Sequence, residues 1–81
     1  MKNNPSLSDI KTSTIDNLME FWILFMKNTD AFSKEDGNSL QMFAQSVEFY
    51  VDQKKFNRAL SESQDLINHA LNLIQGNNES S

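Results

Sequence analysis

The sequence predicts an all-α fold, a small bundle of three helices joined as antiparallel hairpins. The chain has 81 residues, which is enough for one small domain. It contains only two Gly and one Pro, a composition that favours helices over a turn-rich β fold. Apolar residues recur at helical spacing in three segments, and a polar segment rich in Asn, Asp and Ser separates the first two.

The first helix is predicted at about residues 14–28, after a flexible lead-in at 1–12. Ser13 is the expected N-cap, and Asp16 in the first turn meets the positive end of the helix dipole. At 100° per residue, one group of apolar residues falls within about 120° and forms the predicted core stripe. Its members are Ile15, Leu18, Met19, Trp22, Phe25 and Met26.

The second helix is predicted at about residues 34–53, where Ser33 and Asp36 form a capping signature. Its apolar stripe consists of Leu40, Phe43, Val47, Tyr50 and Val51. The boundary between the second and third predicted helices contains no Gly or Pro. One continuous helix over residues 40–75 is therefore the alternative to two separate helices. A break is favoured because such a helix would be long for a globular domain.

The third helix is predicted at about residues 57–75, with Asn57 as N-cap and Gly76 just after its end. Two apolar lines follow this helix: a seam of Phe56, Leu60, Ser63, Ile67, Ala70 and Ile74, and a neighbouring line of Ala59, Leu66 and Leu73. Residues 13–76 are therefore expected to form a single helical domain, and 77–81 a disordered tail.

The apolar run from Leu18 to Met26 raises the question of a membrane segment. A transmembrane helix needs about 20 apolar residues, and this run is short and interrupted by Glu20. The formal net charge of −4 argues against nucleic acid and against an anionic membrane surface as partners. We therefore expect a cytoplasmic protein that neither inserts into membranes nor binds nucleic acid.

The sequence contains no set of residues that indicates catalysis. There is no Cys and only one His, so thiol chemistry and zinc clusters are not expected. No Gly-rich phosphate loop is present, and the carboxylates are scattered over predicted polar faces. The prediction is a non-enzymatic protein without a cofactor or a bound metal.

The sequence around His69, H-A-L-N, resembles the phosphoacceptor site of histidine phosphotransfer domains. This resemblance implies phosphoryl transfer at an exposed His69, although Asn72 and Leu73 stand where that family has Lys and Gly. A solvated surface histidine is the preferred interpretation, and phosphotransfer is kept as a third hypothesis.

The segment 43–73 resembles a single tetratricopeptide-type helical hairpin. Phe43 and Tyr50 stand at aromatic positions of that repeat, and Ala59 stands at its close helix contact, whereas Val47 and Ser63 depart from it. The resemblance implies a hairpin with similar packing and a role in binding protein or peptide. In size and acidity the chain is also similar to small bacterial secretion chaperones.

The expected function is binding of another polypeptide, as a small acidic chaperone, adaptor or inhibitor. Each predicted helix carries more apolar surface than one small core needs, and the excess is expected at an interface. The partner-binding residues predicted from this excess are Phe21, Ile23, Leu24, Met42, Phe49, Leu66 and Leu73. A homodimeric regulator, in which a second copy covers this surface, is the alternative.

Overall fold

The computed structural model describes the backbone of residues 7–80 and the side chains of residues 8–76. Three helices follow one another: α1 at Leu7–Lys27, α2 at Lys34–Asp52 and α3 at Phe56–Ser80. A short 3-10 helix at Thr29–Ala31 lies between α1 and α2. The described residues form no strand, and the predicted all-α three-helix bundle is confirmed.

The helix α3 is the central element of the bundle. It packs against both α1 and α2, whereas the backbones of α1 and α2 come close to each other at few points. The radius of gyration is 14.0 Å, above the ~12 Å expected of a compact domain of this length. The bundle is therefore elongated and open between α1 and α2.

The core is one apolar cluster to which all three helices contribute. Its buried members are Leu18, Phe21, Leu40, Ala44, Val47, Ala59, Leu66 and Ala70. On α3 the small residues Ala59, Ser63 and Ala70 are completely buried, and their size lets the neighbouring helices approach closely. The buried face of α3 thus lies between the two apolar lines predicted from the sequence and takes residues from both.

The start of α1 differs from the prediction. The helix begins at Leu7, so Ser13 is not its N-cap, and residues 7–12 of the predicted lead-in are helical; residues 1–6 lie outside the described residues. Ile10 and Thr14 are both buried. The Thr14 hydroxyl donates a hydrogen bond to the Ile10 carbonyl oxygen at 2.8 Å, which allows a polar residue to occupy the core.

The predicted core stripe of α1 is correct only in part. Leu18 is buried, and Trp22 and Phe25 pack against the core, but three members are exposed: Ile15, Met19 and Met26. The helix is turned so that the side bearing Ile10, Thr14 and Phe21 faces the bundle. Asn17 lies on this side as well, where its Nδ2 donates to the Ser63 hydroxyl at 3.0 Å.

The boundaries of α2 agree well with the sequence. The Ser33 hydroxyl accepts a hydrogen bond from the Asp36 amide at 3.0 Å, which confirms the predicted N-cap. The predicted break after α2 is also confirmed, because Gln53, Lys54 and Lys55 separate α2 from α3. The single long helix is thereby excluded.

The turn between α2 and α3 is a Schellman motif. The Lys55 amide donates to the Tyr50 carbonyl oxygen at 2.9 Å, and the Lys54 amide donates to that of Val51 at 3.0 Å. Lys54 has φ 61°, the left-handed conformation that Gly usually supplies at this position. Asn57 is not the N-cap of α3, since the Lys55 carbonyl oxygen already accepts from the Ala59 amide at 2.9 Å.

The end of α3 also lies later than predicted. Gly76 has no positive φ, so it does not terminate the helix in a left-handed cap, and the backbone stays helical to Ser80. The backbone of residues 77–80 in the predicted disordered tail is thus helical, and Ser81 lies outside the described residues. Within the part of the chain that is described, no helix has the length and apolarity needed to cross a membrane.

Candidate interaction surface

The outward side of α1 carries a row of large exposed apolar residues. We call this row the α1 stripe; its members are Ile15, Met19, Ile23 and Met26, with exposed fractions of 41%, 58%, 53% and 73%. Their spacing of four, four and three residues places them along one side of the helix. The stripe lies beside the buried face of α1, and the half-buried Trp22 stands between the two.

An open groove runs beside one end of the α1 stripe, between α1 and α2. Ile15 and Leu18 line it from α1, and Glu48, Val51 and Asp52 line it from α2. Its volume is about 290 Å³. The groove exists because α1 and α2 both pack on α3 and only loosely on each other. It therefore extends the α1 stripe into a concave apolar surface with an acidic wall.

The opposite margin of the α1 stripe is acidic as well. At 100° per residue, Asp16 and Glu20 lie on α1 just beyond Ile23, on the side away from the bundle. Both are exposed, and neither forms an ion pair with another described residue. Carboxylates thus flank the Ile15 end of the α1 stripe on both sides.

The two acidic margins share a feature that is unfavourable in isolated helices. Asp16 and Glu20 are four residues apart on α1, and Glu48 and Asp52 are four residues apart on α2. Like charges at this spacing are neighbours and repel each other. Glu48 and Asp52 also lie at the C-terminal end of α2, which the helix dipole makes unfavourable for negative charge, and no basic residue occupies that last turn.

A second exposed apolar region, which we call the α2 patch, lies on α2 beside α3. Met42 and Phe49 are 67% and 58% exposed, and the half-buried Phe43 and Tyr50 lie next to them in a hollow of about 540 Å³. The rim of the hollow is formed by Ser39, Gln45, Ser46 and Glu62. This rim is mostly neutral, in contrast to the acidic margins of the α1 stripe.

An ion pair and a cation–π contact hold one edge of the α2 patch. Arg58 lies over the Tyr50 ring, 5.0 Å from its centroid, and its Nε is 3.5 Å from Glu62 Oε2. Arg58 and Glu62 are four residues apart on α3, a spacing at which opposite charges are neighbours. Arg58 thus contacts both Tyr50 and Glu62 at the edge of the hollow, beside the exposed Phe49.

A cluster of aromatic rings connects the α1 stripe to the core. The Trp22 ring lies 4.9 Å from Phe21 and 5.9 Å from Phe25, measured between centroids, and Phe25 stacks on Phe32 at 5.3 Å. Phe21 is completely buried. Because Trp22 touches these rings and borders the stripe, a ligand on the stripe changes the surroundings of the only Trp in the chain.

The partner-binding residues predicted from the sequence do not form one surface. Ile23 belongs to the α1 stripe, and Met42 and Phe49 belong to the α2 patch. The expected exposure is wrong for Phe21 and Leu66, which are completely buried.

Two further predicted residues are half-buried. Leu73 packs against the core cluster, and Leu24 accepts a hydrogen bond at its carbonyl oxygen from Asn28 Nδ2 at 2.9 Å. Neither belongs to the α1 stripe or to the α2 patch.

Sequence reasoning missed Ile15, Met19 and Met26 as surface residues. They were assigned to the core because the predicted helix began at about residue 14 and left out Ile10, which together with Thr14 marks the buried side of α1. The available signal was the row of Ile10, Thr14, Leu18 and Phe21, spaced four, four and three residues apart. A predicted helix that extended to Ile10 would have identified this row as an alternative buried side of α1.

The chemistry of the remaining groups is limited. Among the described residues no three His, Asp or Glu side chains are grouped so that they could hold a metal ion. His69 is exposed on α3, and its resemblance to a phosphoacceptor remains a prediction. Comparisons with family models, with curated proteins and with solved structures found no match to this chain.

Proposed function

We propose that this chain is a non-enzymatic interaction module that binds another polypeptide through the α1 stripe. The observation that carries this proposal is the row of four large apolar side chains, Ile15, Met19, Ile23 and Met26, left exposed on one side of α1. Single exposed apolar residues are ordinary, but a contiguous row bordered by charged residues is typical of interaction sites. The function is that of a small cytoplasmic adaptor, chaperone or inhibitor.

The packing of the three helices does not require apolar residues at the positions of the α1 stripe. Phe21 and Leu18 already fill the side of α1 that faces the bundle. The stripe adds apolar surface that remains in contact with water, which a polypeptide partner would remove at a gain in free energy. Met19 and Met26 have flexible, polarizable side chains that adapt to different partner shapes.

The test is selection of binders from a displayed peptide library, followed by binding measurements on variants. Met19→Glu/Ile23→Glu places two charges on the α1 stripe, four residues apart. Gln64→Glu/Asn68→Glu places the same two charges at the same spacing on exposed positions of α3. We expect selected peptides to lose binding at least about tenfold with the first variant and to keep it with the second.

The proposal is wrong if selection returns no binders, or if both double variants bind the selected peptides as tightly as the parent chain. Circular dichroism of each variant establishes that helix content is retained. Because Met19 and Ile23 are exposed, neither substitution removes a core contact.

A second candidate function, self-association as a homodimeric regulator, is favoured by the α2 patch. Its rim is mostly neutral, and Arg58 and Glu62 beside it have opposite charges, so two copies meeting at this patch around a twofold axis would not repel each other. Light scattering at low micromolar concentration tests this function. We expect a dimer that Phe49→Glu dissociates and Ile23→Glu does not; a monomeric parent chain would exclude it.

A further inference from the structure

We infer that the α1 stripe and the adjoining groove bind a basic amphipathic helix of the partner. This inference rests on the proposed function and names the class of segment that the site takes. It follows from the shape of the apolar surface and from the placement of the four carboxylates that flank it.

The shape of the surface fits one face of a helix. From Ile15 to Met26 the α1 stripe spans twelve residues, about 16 Å along the helix axis, or three turns. Beside Ile15 the surface is concave, since Leu18 and Val51 form the apolar part of the groove between α1 and α2. A helix laid along the stripe buries residues at positions i, i+4, i+7 and i+11 against this surface.

The charge of the site selects a basic ligand. Asp16 and Glu20 flank the α1 stripe on one side, and Glu48 and Asp52 flank it across the groove. None of the four forms an ion pair with another described residue, and each pair consists of like charges one helical turn apart. Lys or Arg side chains along both edges of a bound helix would neutralise both pairs and relieve both repulsions.

A second copy of this chain fits the site less well. If two α1 stripes met in full antiparallel overlap, their Asp16 and Glu20 margins would lie on the same side of the contact, with Glu20 of one copy opposite Glu20 of the other. Nucleic acid and anionic lipid surfaces meet the same repulsion. The lysines of α1, Lys11 and Lys27, lie near its two ends, beyond these carboxylates. A cationic peptide is therefore the occupant that the site favours.

Three synthetic peptides of 18 residues test the inference directly. All share one apolar face of Leu at helical spacing and contain no Trp; their polar positions are filled with Lys and Arg, with Gln, or with Glu. Binding is followed by the fluorescence of Trp22, the only Trp in the chain, upon titration with each peptide. We expect the basic peptide to bind about tenfold more tightly than the neutral one, and the acidic peptide to bind most weakly.

A second experiment measures binding of the same peptides to variants in which the carboxylates of the acidic margins are replaced by amides. We expect Glu48→Gln/Asp52→Asn and Asp16→Asn/Glu20→Gln each to weaken the basic peptide about fivefold and to leave the neutral peptide within about twofold. The control, Asp30→Asn/Asp65→Asn, removes the same number of charges at exposed positions that do not line the groove. It should have little effect beyond a small change in salt dependence.

Each remaining outcome contradicts a defined part of the inference. Equal affinity for all three peptides, or equal weakening by the control variant, would show that these carboxylates do not select the ligand. If none of the three peptides binds although library peptides bind through the α1 stripe, the helical occupant is wrong and the proposed function stands. If library selection fails as well, both are wrong. A dimer that Met19→Glu/Ile23→Glu dissociates would make a second copy the occupant.

Discussion

Two sides of α1 carry large apolar residues, but one side is buried in the bundle and the other is exposed to solvent. The inner side, with Ile10, Leu18 and Phe21, is buried, and Leu18 and Phe21 belong to the core shared with α2 and α3. The outer side, with Met19 and Met26 among its members, is exposed. Hydrophobicity alone does not distinguish them. What distinguishes them is that the inner side also carries Thr14 and Asn17, whose polar groups are hydrogen-bonded.

The inner side is identified by its hydrogen bonds. Asn17 Nδ2 donates to the Ser63 hydroxyl at 3.0 Å, and Ser63 in turn donates to the Leu60 carbonyl oxygen at 2.7 Å. A rotation of α1 would break the hydrogen bond between Asn17 and Ser63 and would expose Leu18 and Phe21. This contact therefore favours the orientation in which the α1 stripe lies outside.

The largest expected difference between the two sides comes from removing one large side chain on each. Phe21→Ala deletes a completely buried ring from the core and should lower the free energy of unfolding by about 3–5 kcal/mol. Ile23→Ala, on the α1 stripe, should change it by less than about 0.5 kcal/mol. Urea denaturation followed by circular dichroism measures both.

The loss expected for Phe21→Ala is large for a domain of this size, whose total stability is about 4–12 kcal/mol. Equal effects of the two substitutions would contradict the assignment of the two sides. The outcome that Ile23→Ala is the more damaging variant would reverse it.

The next largest effect on stability is expected from removing the hydrogen bond between the inner side of α1 and α3. Asn17→Ala removes the hydrogen bond to Ser63 and should destabilise the chain by about 1 kcal/mol. A double-mutant cycle with Ser63→Ala isolates the coupling, expected at about 0.5–1.5 kcal/mol. Asn68→Ala, at an exposed position of α3, is the control. A coupling near zero would mean that this hydrogen bond does not orient α1.

The sequence was sufficient for the fold class, for α2 and for the presence of a break after it, although the predicted N-cap of α3, Asn57, was wrong. Ser33 with Asp36 is a local capping signal, and the length of a continuous helix over residues 40–75 argued for a break. These features depend on neighbouring residues, which the sequence displays directly.

The rotation of α1 could not be predicted in the same way. It depends on the contact between Asn17 and Ser63, which are 46 positions apart, and on a helix that begins at Leu7, well before the predicted start at about residue 14. Ile23, Met42 and Phe49 were identified as exposed, but the α1 stripe was divided between predicted core and predicted surface. A period of 3.6 residues indicates how wide an apolar face is, and only the tertiary contacts decide which part of it is covered.

A more stable background would sharpen the comparison between the two sides of α1. Lys54 adopts φ 61° in the turn after α2, a conformation in which the Cβ atom is unfavourable. Lys54→Gly should therefore raise the free energy of unfolding by about 1 kcal/mol. Lys55→Gly, at a neighbouring position without a positive φ, should have no such benefit. The midpoint of urea denaturation distinguishes the two, and Phe21→Ala can then be measured in a chain that remains largely folded.

Thr14 tests whether the inner side needs a hydroxyl or only the right volume. Thr14→Val keeps the shape, and the Ile10 carbonyl oxygen loses a bond that supplements the backbone ladder of the helix. We expect a change within about 1 kcal/mol, toward greater stability, because bonds of this type slightly distort helices. Thr12→Val, at an exposed position of α1, should be neutral. Clear destabilisation by Thr14→Val alone would assign the hydroxyl a second partner.

The smallest effect on stability is expected on the α1 stripe, the surface proposed to bind the partner. Met26 is the most exposed member of the α1 stripe, so Met26→Gln should alter the free energy of unfolding by no more than about 0.5 kcal/mol. The same variant should bind selected library peptides more weakly, because it replaces an apolar contact with an amide that must give up water. Urea denaturation and Trp22 fluorescence titration make both measurements on one sample. A variant that lost stability without losing binding would place Met26 in the core. A variant that lost binding without losing stability would show that Met26 contributes to peptide binding and not to the folding of α1.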